Sequence, residues 1–195
     1  GRPVIPVSPC LHGTFQVGGG HSCRRRPGSF FLGRLYPGQG LGGAGVAGPG
    51  LGSGAGQPSA LGRPGPAVAR LGIGRLGGAN IVLAGASGST LAFGPGHVDG
   101  TALPGQPGHS VVSAHRDTHF AYLKNAEVGD LIRVEQPSGA KSGYRIVERR
   151  VIDTRREQVM LHPEANLLTL ITCYPFEDWT PGGPLRLIVT AEKRM

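Results

Sequence analysis

Long hydrophobic runs are missing from this sequence: nowhere do 18 or more apolar residues follow one another, so no transmembrane helix is expected. The most apolar early stretch, Ser29-Phe30-Phe31-Leu32, is broken at once by Gly33 and Arg34. The stretch from Gly1 does not have the three-part form of a secretory signal. Acidic residues are absent as far as Arg70, where all seven charged residues are arginines, while residues 71–195 carry 13 Lys+Arg against 12 Asp+Glu. The net charge of +8 therefore belongs almost wholly to the first third of the chain. Those arginines are not interleaved with aromatics on any expected element, and Arg24-Arg25-Arg26 sits among glycines. A solvated basic segment is the reading, able to touch anionic lipid headgroups, and a nucleic-acid partner is not expected. Cysteine is scarce and odd in number: Cys10, Cys23 and Cys173. A Cys10–Cys23 bridge is allowed in an oxidising compartment, but three thiols so spaced are no disulfide framework. Helical periodicity and internal repeats are absent too.

Glycine and proline are abundant, and unevenly so. Residues 1–70 hold 19 of the 35 glycines and 9 of the 17 prolines. Such a stretch cannot bury enough apolar surface to offset the entropy of ordering it. Residues 1–67 are therefore expected to be a disordered low-complexity segment, and 68–195 the folded domain. From about Val68 short apolar runs recur between Gly, Pro, Asn and Asp. Strands are expected at 69–73, 81–84, 110–114, 131–136, 144–153, 167–173 and 185–191, with short helices near 90–93 and 120–123. Alternation is plain where Ile132 and Val134 interleave with Arg133 and Glu135, and where Leu185, Leu187 and Val189 interleave with Arg186, Ile188 and Thr190. Gly129-Asp130 and Ser138-Gly139 mark turns. Seven or eight strands with little helix make an all-β domain, a small closed barrel or a sandwich.

Three residues carry chemistry. Cys173 closes the run Thr169-Leu170-Ile171-Thr172-Cys173, and Pro175 cannot continue a central strand. The thiol should sit at a strand end, on the Thr169/Ile171 face. His115 ends Val111-Val112-Ser113-Ala114-His115 in the same manner. Taken singly, the cysteine reads equally well as a buried structural thiol and the histidine as a hydrogen-bonded strand-end residue. Together they are what nucleophilic catalysis needs, since such pairs meet in space and not in sequence. Arg186 points away from Leu185, Leu187 and Val189, and its rigid fork of donors suits an oxyanion or a carbonyl. A competing reading is a metal site built on His115 and His119, with His97, His109 and Cys173 as further ligands. That four-residue spacing aligns ligands on a helix, which no pattern here supports, and the glutamate of a zinc-protease motif is missing. His97 and His109, beside glycines, read as loop histidines bordering a groove. No acidic cluster suggests calcium.

The segment S-A-H-R-D-T-H-F, then T-L-I-T-C, then a strand arginine 13 positions after the cysteine, resembles the pattern of the sortases. Gly94-Pro95-Gly96-His97 and the 100–108 segment are similar to a sortase crossover. The resemblance covers about residues 68–192 and is nearest to the proteobacterial sortases grouped with class D. It implies an eight-stranded β-barrel. It implies Cys173 as nucleophile, His115 as acid and base and Arg186 as stabiliser of the tetrahedral intermediate, with no cofactor and no metal. Thr172 resembles a groove-lining position, and Ala114 stands where glycine commonly precedes the histidine. By their own positions, His119 reads as a loop residue near the site, and Trp179 either caps the groove or belongs to the core. The implied reaction cleaves an LPxTG-like motif of a secreted protein through a thioester and passes the acyl group to an amine. Another Cys–His hydrolase, or a peptidoglycan-acting transpeptidase, would use the same pair. Family members carry an N-terminal membrane anchor where this chain has its Gly-rich stretch. The resemblance therefore implies a place in the cell envelope, at the inner membrane with the catalytic domain outside the cytoplasm, through an anchor this sequence does not display.

Overall fold

Alternation of apolar and polar residues is what bends this chain into a cylinder. The computed structural model describes residues 3–5, 65–178 and 183–194. Strands β1 (Val4–Ile5), β2 (Ala67–Ile73), β3 (Asn80–Ala84), β4 (Gly96–His97), β5 (His109–Ser113), β6 (Leu131–Glu135), β7 (Lys141–Asp153), β8 (Val159–Met160), β9 (Leu167–Cys173) and β10 (Leu185–Lys193) follow in order. Eight of them close a barrel in the spatial order β10-β7-β6-β2-β3-β4-β5-β9, and β1 pairs with β8 beside it. All contacts round the barrel are antiparallel except β3–β4 and β5–β9, which are parallel. The fold is thus the closed all-β barrel expected.

The interior is filled by one face of each strand. Leu71 and Ile73, Ile132 and Val134, Leu168 and Leu170, and Leu187 and Val189 are all buried in one cluster, with Phe120 and Leu123 packed into it. Each such side chain contributes roughly 1.5–3 kcal/mol by leaving water. Where the outer face meets solvent, alternation is clean, as at exposed Arg133 between buried Ile132 and Val134. On β5 and β9 it fails, because both faces are covered. Outside the barrel a second cluster joins Val111, Ile171 and Ile188 to Val159 and Leu161 around β8 and to Ile5 of β1.

Most elements fall within two or three residues of expectation. The turns at Gly129 and Gly139 take φ of 98° and 86°, left-handed values that suit a residue without Cβ. The short helices are α1 (Gly88–Leu91) and a 3-10 turn over Ala121–Asn125. Strand β4 was not foreseen. It is two residues long, yet it links β3 to β5, and a Cβ at Gly96 would stand 2.3 Å from the Gly85 carbonyl oxygen. His97 and His109 correct another expectation: both lie in strands and are buried, not in loops.

Candidate active site

Cys173 is the last residue of β9, and Arg186 stands directly opposite it on β10. Directly opposed antiparallel residues bring their Cβ atoms to about 4.5–5.5 Å on one face. On its other side β9 lies against β5, where Val111 pairs with Thr169 and Ser113 with Ile171. The ladder continues with Ala114 N–H donating to the Ile171 carbonyl at 3.1 Å. Strand β5 itself ends at Ser113, and His115 follows two residues on, at the end of the sheet where β9 closes with Cys173. Parity then puts Cys173 and Arg186 outward, with Ile171 and Ile188 in the next row. Arg186 and Cys173 are thus cross-strand neighbours on β10 and β9, and His115 follows the end of the adjoining β5.

Each member is constrained. Cys173 is 9% exposed and Arg186 3%, while His115 is half-buried. Arg186 Nη1 donates to the carbonyls of Gly183 at 2.6 Å and Leu185 at 2.8 Å, which fixes the plane of the fork. Phe120 N–H donates to the His115 carbonyl at 3.0 Å, turning the chain away from the sheet just after the imidazole. Burial pushes the Cys173 thiol up, the Arg186 and Arg116 guanidiniums pull it back, and the Asp117 carboxylate opposes them. The resting sulfur is therefore a protonated thiol beside two fixed positive charges.

Thr172 and Ala114 depart from expectation. Both are 1% exposed and share the parity of the interior residues, so neither side chain lines an outer groove. Instead Thr172 Oγ1 donates to the Ala114 carbonyl at 2.8 Å, joining β9 to β5 one residue before both the thiol and the imidazole. His119 is half-buried, and its carbonyl accepts from Asn80 Nδ2 at 2.9 Å, tying this loop to β3. Trp179 lies outside the described residues.

The histidines offered as further metal ligands are engaged elsewhere. His97 Nε2 is 3.0 Å from both the Ala102 carbonyl and Thr101 Oγ1. His109 Nδ1 accepts from the His162 N–H at 3.2 Å and Nε2 lies 2.8 Å from Thr169 Oγ1, which makes it a neutral ring donating to a hydroxyl. Among the described residues no group of three or more His, Cys, Asp and Glu could hold a metal ion.

Arg116 is the residue that the sequence reading passed over. Half-buried, it donates from Nη2 to the Asp178 carbonyl, 62 positions away in the segment that follows Cys173. Its place directly after His115 was the available signal.

Three comparisons bear on this arrangement. The family model described as Sortase domain matches residues 71–194. Sortase D of Bacillus subtilis (strain 168) is 31% identical over 113 residues, covering 57% of this chain and 56% of the relative, so the chain spans little more than half of that protein's length. Among solved structures, sortase C1 of Streptococcus agalactiae in complex with MTSET is 27% identical with a TM-score of 0.58, covering 66% of this chain and 69% of that one. Sortase C-1 of Actinomyces oris is 30% identical with a TM-score of 0.57, covering 67% and 74%. With the family model running from β2 to the end of β10, and the same barrel recurring in those structures, the chain belongs to the sortase family.

Proposed function

We propose that this chain is a cysteine transpeptidase in which Cys173 is the nucleophile, His115 the general acid and base, and Arg186 the donor to the oxyanion. One observation supports it most: the strand register that sets Arg186 opposite Cys173 on neighbouring strands, with His115 following the end of the strand on the other side of Cys173. The thiolate attacks the carbonyl carbon after the threonine of an LPxTG-like motif, and the oxygen becomes negative beside the guanidinium. Collapse breaks the C–N bond, and His115 protonates the departing amine, leaving a thioester on Cys173. An incoming amine loses its proton to neutral His115 and attacks the thioester. A new amide forms and the thiol is restored.

The supply of thiolate limits the rate. With ordinary values near 8.5 for cysteine and 6.5 for histidine, the ion pair is only about 1% of the resting pair. Burial raises the thiol further, so turnover is slow. No cofactor is required. The substrate is a secreted protein with a C-terminal sorting motif, and the acceptor is an amine. The working place is the cell envelope, with residues 68–195 as the catalytic domain outside the cytoplasm and 1–67 preceding it. No helix among the described residues is long and apolar enough to cross a membrane, so inner-membrane attachment through an N-terminal anchor rests on family likeness. His119 and Trp179 are the residues we assign to the rim of the peptide groove.

Incubation with labelled LPxTG-type peptides and an amine acceptor tests this reading. Products carrying the acceptor are expected, with the acyl fragment found on Cys173 by mass spectrometry. Hydrolysis with no acceptor incorporated would point to another Cys–His hydrolase, and acyl label on any other residue would remove Cys173 as nucleophile.

A further inference from the structure

The segment that follows Cys173 leaves β9 and must return as β10 with Arg186 in register. It is held at its start by the ladder, where Tyr174 N–H donates to the Leu185 carbonyl at 3.1 Å. Tyr174 and Phe176 meet edge to face at 6.3 Å and pack against the interior cluster. Further along, Lys124 Nζ lies 2.7 Å from Glu177 Oε1, but the two side chains are 55% and 68% exposed, and a pair so open holds little. The firm attachment at the far end is the half-buried Arg116, whose guanidinium donates to the Asp178 carbonyl. A charge-assisted bond shielded from water is the stronger kind.

We propose that Arg116 is a positioning residue for acyl transfer, tying the 174–178 segment to the strand end that bears His115. The proposal rests on the transpeptidase reading for its purpose and not for its geometry. Nucleophile and imidazole lie on neighbouring strands, and each is followed by a loop: 174–178 after one, 116–120 after the other. Arg116 joins those two loops, so the segment that follows the thiol is held at both ends. The guanidinium also lies near enough to favour thiolate, together with Arg186 from β10 and against Asp117 from its own loop. The two duties separate chemically. Arg116→Lys keeps the charge but lacks the planar fork; Arg116→Gln loses both.

The test combines hydrogen exchange over 174–178, the pH profile of Cys173 alkylation, and steady-state kinetics, with Arg156→Gln on the exposed surface as control. In Arg116→Lys the segment should exchange about tenfold faster and KM for the motif peptide should rise about tenfold, as for loss of one such bond, with kcat within about threefold. Its alkylation profile should match the unaltered protein. In Arg116→Gln the faster exchange should be joined by a shift of alkylation to higher pH. Exchange in 174–178 equal to that of the control in both variants would overturn the proposal. Should Arg116→Gln not fold, Arg116→Lys decides alone, since exchange and KM read the clamp without the charge. If no motif peptide is turned over by the unaltered protein, the transpeptidase reading fails while exchange still reports on the clamp.

Discussion

Arg186 is a charge kept where water hardly reaches it, and such a charge is tolerated only when its donors are met. Two backbone carbonyls meet Nη1 and hold the guanidinium in place, on the residue that pairs with Cys173 across the strands. An ammonium at this position would keep the sign but not the shape. Arg186→Lys is expected to lower the rate by about 10²–10³, equivalent to roughly 2.7–4 kcal/mol in the barrier. Single-turnover acylation of Cys173 measures it, and an unchanged acylation rate would show that charge alone suffices. The contrast with Cys173 is instructive. Burial disfavours the charged form of the thiol, and the sulfur answers by holding its proton, which a guanidinium cannot do.

At the scale of elements, the parallel pair β5–β9 matters most, because Cys173 ends one strand and His115 follows the other. Thr172 adds a side-chain bond to that pair at its chemically active end. Thr172→Val removes the hydroxyl and leaves the buried Ala114 carbonyl short of a donor, at a cost of about 1–3 kcal/mol. Thr172→Ser, which keeps the hydroxyl, should lose less. Denaturant unfolding gives the stability, and a Thr172→Ser loss larger than that of Thr172→Val would show that the methyl, not the hydroxyl, is what counts. These elements also show what the sequence could and could not reveal. The runs around Ile132 and Leu187 were legible because one face is wet and one dry, so period two is written into the residues. Strand β4 was not, since two residues have no period, and its identity comes from the neighbours that pair with it. Thr172 was placed at a groove by its family likeness, while strand parity, shared with its apolar neighbours Leu168 and Leu170, points it inward. Arg116 was overlooked since its partner is a backbone carbonyl distant in sequence, a contact no composition encodes.

For the molecule as a whole, acid is the expected weakness. His109 is buried, and burial, with His162 beside it, pushes its pKa down to about 4 from 6.5. The unfolded chain takes up this proton near pH 6.5 and the folded chain only near 4, so stability falls as pH drops through that window. Tm should decline from pH 7 to pH 4, and His109→Gln should flatten that decline. A slope unaltered by the substitution would assign it to other groups. The β5–β9 pair has a last consequence, for the chain's tolerance of change in length. Successive residues of a strand face opposite sides, so one residue added or lost between Ser110 and His115 should reverse the side His115 faces and break the Cys–His pairing that the proposed chemistry needs. The turn at 137–140, remote from that pair, is free to grow or shrink while the chemistry stays intact.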